Sequence, residues 1–195
     1  MSLLGSSLSV ARHHEEALSV KEARLSLTRR VGGSVESILA MQNNLANTYA
    51  NLGRLEEASR MQRDVHSGRL KLLGAEDMRT MSAASNYAAT LKRLRHFEEA
   101  KSFLLKIMPM ARRVLGDSNN ATLRMRSIYA MALFRDEAAT LDDLREAVTT
   151  LEDTERIARR VLGGAHPLTV EIERELRDAR AALRAREATQ PSGGA

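Results

Sequence analysis

The stretch Val35 to Gly74, VESILAMQNNLANTYANLGRLEEASRMQRDVHSGRLKLLG, decides the fold. Its first half places Leu39, Leu45, Ala46 and Tyr49 on one helical face. Leu52-Gly53-Arg54 interrupts that pattern. From Leu55 a second apolar set runs through Ala58, Met61, Val65, Leu70 and Leu73. Gly74 follows, where a helix ends most easily on a left-handed backbone. The spacing predicts two antiparallel helices joined by a tight turn.

The same unit recurs. Val31-Gly32, Leu73-Gly74, Leu115-Gly116 and Leu162-Gly163 stand 42, 42 and 47 residues apart. Sixteen residues before each of the last three glycines is an alanine: Ala58, Ala100 and Ala147. Thr80, Thr122 and Thr169 keep the register. Asp77 and Asn119 are suited to cap the next helices, and His166-Pro167 holds that place in the last copy. The five extra residues of the third unit fall between Leu133 and Leu144. Arg135 to Thr140 is therefore expected as a longer loop within the hairpin, a decoration and not a core element, with Thr140 and Asp143 forming a capping box.

A fixed period of this length implies a stacked array in which each unit buries its apolar face on the next. The expected fold is all-α, a right-handed superhelical solenoid of antiparallel helix hairpins without strands. The expected organisation is an N-terminal tail (1–11), a partial unit (12–34), and three full units (35–76, 77–118 and 119–165). A capping helix (166–187) and a flexible tail (188–195) complete the chain. Leu168, Ile172, Leu176, Ala179 and Leu183 form the stripe by which the capping helix packs.

Composition narrows the function. With 43% hydrophobic residues and 3% aromatic ones, leucine, alanine and methionine must fill the core. Cysteine is absent, so zinc thiolates, disulfides and thiol nucleophiles are ruled out. The net charge of +5 permits acidic partners. Nucleic acid is not expected, because arginine is interleaved with 25 acidic residues and Tyr49, Tyr87 and Tyr129 fall on core positions. No apolar run reaches the ~18 residues of a membrane helix, and the opening MSLLGSSLSVAR lacks a basic leader. His13 and His14 lack the i, i+4 spacing of a helical metal pair, and no histidine is spaced to serve a nucleophile. The chain is expected to be non-enzymatic and cytoplasmic, without cofactor or metal. Its oligomeric state is left open.

Leu45-Ala46, Tyr49 and the helix B alanine Ala58 resemble the tetratricopeptide repeat. Asn43-Asn44-Leu45-Ala46, Glu56-Glu57-Ala58 and Leu162-Gly163-Gly164-Ala165-His166-Pro167, with the 42-residue period, look like its kinesin-light-chain type. Gln62 departs from the pattern at an apolar position, and Arg177 at a small one.

This resemblance implies protein–protein interaction as an adaptor or scaffold, with a ligand held by the concave face of the first helix of each hairpin. Counted from Ala46, Ala88 and Ala130, that face carries Asn43, Asn44, Asn47 and Asn51 in the first unit. It carries Ser85, Asn86, Lys92 and Arg93 in the second, and Arg124, Ser127, Met131 and Arg135 in the third. Asparagine amides can hold an extended backbone, and the basic residues select acidic side chains. Of the five residues of a terminal-carboxylate clamp, Asn47, Asn86 and Arg124 match, whereas Asn43 and Ile128 do not. Glu171, Glu175 and Asp178 fall on the groove side of the capping helix and are expected to draw in Arg124 or Arg135. The rival reading is a structural subunit or arm of a larger assembly that works through its convex and edge surfaces.

Overall fold

The computed structural model describes the backbone of residues 2–189 and the side-chain surroundings of residues 15–189. Eight helices and no strand occur among the described residues. They are α1 (Ser2–Arg30), α2 (Val35–Asn51), α3 (Leu55–Leu73) and α4 (Met78–Leu94). The second half has α5 (Phe97–Leu115), α6 (Asn120–Arg135), α7 (Leu141–Leu162) and α8 (Pro167–Thr189). α1 includes residues 2–11, which the sequence set apart as a tail. Of the expected C-terminal tail, residues 190–195 lie outside the described residues, as do the side chains of His13 and His14.

Three hairpins, α2–α3, α4–α5 and α6–α7, follow the repeat. α1 packs on the first hairpin and α8 on the last. The helix starts use the expected chemistry. Asp77 accepts from the Arg79 amide and Asn119 from the Ala121 amide, each at 2.8 Å. Thr140 and Asp143 form the reciprocal capping box. His166 takes the cap role in the last copy, its Nδ1 accepting from the Leu168 amide at 3.2 Å. At the helix ends Gly74 and Gly116 do have positive φ, 83° and 84°, but their ψ values are 173° and 159°. This is an extended corner of backbone space open essentially only to glycine, stricter than the left-handed helical region expected there.

Three apolar clusters run along the stack. Leu18 and Leu25 of α1 meet Leu45, Tyr49 and Ala58. Met81, Ala88, Leu91 and Leu104 pack with Met125 and Ile128. Leu133, Leu144 and Leu151 pack with Leu168, Ile172, Leu176 and Ala179, so the α8 stripe is buried as the spacing predicted. Two expectations change. Ala139, in the loop of the third hairpin, is only 6% exposed and belongs to this last cluster. Arg186 of α8 donates to its carbonyl at 2.8 Å. The insertion is therefore anchored to the core. Gln62, the apolar position filled by an amide, is buried and donates to Asn47 Oδ1 at 3.1 Å.

Candidate peptide groove

The first helices of successive units, α2, α4, α6 and α8, lie side by side. Their shared face brings the predicted residues into three separate places. At the α2 end, Asn86 Nδ2 lies 3.4 Å from Asn43 Oδ1, and Asn47 is engaged by Gln62. Asn44 and Asn51 are exposed. In the middle, Lys92, Arg93 and Arg124 line one cavity of about 310 Å³, floored by Ala89 and Ile128 and closed by His166, Pro167 and Glu171 at the start of α8. At the far edge, Arg135 is ion-paired with Asp178 at 2.9 Å and lies over the Phe134 ring. Ser85 and Met131, counted as groove residues from the sequence, are 3% and 4% exposed, whereas Ser127, 1% exposed, does line the middle cavity. Ser85 and Met131 are thus buried within the stack and not open on the groove face.

The middle cavity carries the electrostatics. Lys92 on α4 reaches past α6 to α8, where its ammonium pairs with Glu171 and, at 2.6 Å, with Glu175. Glu175 also accepts from the Ser127 hydroxyl and is 2% exposed. A buried carboxylate needs such partners, because desolvation penalises an unpaired charge heavily. Arg93 donates to the Ala50 carbonyl at 2.6 Å and ties α4 to the end of α2. Arg124 is exposed and has no ion pair among the described residues. The α8 acids thus draw in Lys92 and Arg135, whereas Arg124, expected as a partner, stays open. Lys92 was legible as a groove cation. Its reach to α8 depends on the curvature of the stack, which no local spacing encodes.

Tyrosine–carboxylate bonds staple the hairpins. Tyr87 donates to Glu99, and Tyr129 to Glu146, which are equivalent pairs in successive units. Tyr49 donates to Glu22 of α1, and burial with this bond pushes its hydroxyl up to about 12. Among the described residues, no group of His, Cys, Asp or Glu is arranged to hold a metal ion, and no helix is long and apolar enough to cross a membrane.

Residues 37–113 match the tetratricopeptide repeat family. No curated protein sequence matches the chain. Among solved structures, the chain is similar to the nearly identical TPR-like repeats of a putative kinesin light chain of Podosopora anserina. A singly substituted form of that protein aligns with TM-score 0.71 and 23% identity, over 95% of this chain and 88% of the other. The unsubstituted form gives 0.69 and 23%, over 95% and 89%. BtubC (BKLC) from P. vanneervenii aligns with TM-score 0.57 and 13% identity, over 94% of this chain and 78% of its own. Periodicity, hairpin geometry and these folds agree: the chain folds as a right-handed solenoid of tetratricopeptide-like helix hairpins, and its residues 37–113 match the tetratricopeptide repeat family.

Proposed function

We propose that this chain is a non-enzymatic cytoplasmic adaptor or scaffold whose concave groove holds an extended acidic segment of a partner protein. Its fold belongs to a class that generally serves protein–protein interaction. The observation that carries the acidic preference is the convergence of Lys92, Arg93 and Arg124 on one cavity beside the start of α8. There the chain's own carboxylates already engage one of the three cations. Arg124 offers a fork of donors for a ligand carboxylate. The exposed amides of Asn44 and Asn51, farther along the face, suit a peptide backbone. Glu171 acts as a stand-in for the ligand's acid, and a binding peptide displaces it from Lys92.

The test is fluorescence anisotropy with a labelled glutamate-rich peptide and a lysine-rich control, at low and high salt. Acidic peptide should bind and weaken with salt. Arg124→Glu should weaken it without changing the circular dichroism spectrum, by about 1.5–3 kcal/mol for one charge-assisted contact. Equal binding by the variant, or a preference for the lysine peptide, refutes the reading.

A further inference from the structure

The repeat register defines which side chain belongs in each cleft of the outer face, where α3, α5 and α7 lie. Ala58, Ala100 and Ala147 align these helices, and three residues beyond them stand Met61, Phe103 and Thr150. Phe103 fills the cleft between α3 and α5. Its ring meets His66 edge-on with centroids 5.2 Å apart, and Tyr87 likewise at 5.1 Å. One repeat later the counterparts of His66 and Tyr87 are Met108 and Tyr129, but the counterpart of Phe103 is the much smaller Thr150. Beside Met108 and Tyr129 is a cavity of about 290 Å³, whose wall also includes Leu104, Leu105, Pro109 and Glu146. Glu146 is one helical turn before Thr150 and lies on the same side of α7.

The mouth is apolar and open, with Leu105 52% exposed. The charges at its rim are already engaged: Glu146 accepts from Tyr129 at 2.8 Å, and Arg112 donates to Asp117 at 2.6 Å. An occupant therefore need bring no charge. The volume is at the small end for ligand sites and suits a single large side chain. Its wall offers a thioether and an aromatic ring, both of which favour an aromatic edge.

We propose that this cleft is a second interaction site, on the outer face and independent of the groove, which receives an aromatic side chain presented by a partner protein. The partner's ring occupies the place that Phe103 fills one repeat earlier. The cleft is a vacancy in a repeated pattern, and the chain itself displays the matching occupant.

The test follows the methionine methyl signals of the full chain by NMR during titration with N-acetyl-phenylalanine amide, with N-acetyl-leucine amide as control. The phenylalanine probe should shift the Met108 methyl saturably and leave Met41, on α2, unmoved. The leucine probe should bind at least tenfold more weakly. Thr150→Phe should abolish the shift and raise the melting temperature, because the cleft is then filled from within. Leu105→Glu, at an exposed position, should also abolish the shift while keeping the fold. The proposal is overturned by an unresponsive Met108, by equal response to the leucine probe, or by a response that survives Thr150→Phe. A lower melting temperature for Thr150→Phe overturns it too, since position 150 would then not face the cleft. Concentration-dependent dimerisation that Thr150→Phe removes would assign the cleft to a second copy of the chain and overturn the proposed partner.

Discussion

Replacing Lys92 by methionine should be among the most damaging single changes in the chain, although lysine is usually dispensable. Its partner Glu175 has a side chain only 3% exposed, whereas Lys92 is 20% exposed. In Lys92→Met the carboxylate keeps the Ser127 hydroxyl and loses its countercharge. Breaking a buried pair from one side costs about 3–5 kcal/mol. For a chain of this size each kcal/mol moves the melting temperature by roughly 2–4 °C, so a fall of roughly 6–20 °C is expected. The opposite half-pair should behave differently. In Glu175→Gln the ammonium keeps Glu171 and reaches water, and the amide can still bond Ser127, so about 1–2 kcal/mol is lost. Removing both, as Lys92→Met with Glu175→Leu, should recover most of the loss, because an apolar pair no longer has to be desolvated as ions. Urea unfolding followed by circular dichroism at neutral pH measures all three. The reasoning fails if Lys92→Met costs under about 1 kcal/mol, or if Glu175→Gln is the worse of the two single changes.

Three other outcomes are expected. His66 is buried against Phe103, and burial pushes its imidazole below the ordinary histidine range. The unfolded chain therefore binds the proton more readily, so stability should be full above pH about 6.5 and fall as pH drops through the lowered folded value; His66→Leu should flatten this slope in pH-dependent urea melts. Ala88 is fully buried at a junction between repeats, so Ala88→Leu should overpack it and cost about 1–3 kcal/mol in the same assay; an unchanged midpoint would contradict the register. Arg95 holds φ at 61° in the turn where the first hairpin has Gly53, so Arg95→Gly should relieve strain and raise stability by up to about 1 kcal/mol.

The helices could be read from the sequence because their signals are local and repeated. Ala58, Ala100 and Ala147 fix the register, and the glycines 16 residues later mark each helix end. Thr140 and Asp143 announced their capping box within four residues. What escaped the sequence depends on curvature and on contacts between distant units. The turn of the stack brings Lys92 to α8, and no spacing within one unit predicts that reach. Ala139 looked like loop filler, yet α8 folds back to cover it and Arg186 binds its carbonyl. Met131 and Ser85 were counted onto the groove face, but both are buried within the stack. The cleft beside Met108 and Tyr129 depends on how α5 and α7 pack, which no spacing within one unit encodes.

The Lys92 bridge also sets how far one part of the array can feel another. In an ideal solenoid each unit senses only its immediate neighbours, so a boundary between folded and unfolded chain can rest at any junction. Here α4 is tied directly to α8, with a whole hairpin's first helix enclosed between them. No such boundary can settle between α4 and α8 while that bridge holds. The chain from α4 onward then behaves as one mechanical block, and α1 with the first hairpin as a detachable annex. Stretched from its two ends, the molecule should yield in two unequal steps, the annex first at low force and the bridged block afterwards, all at once.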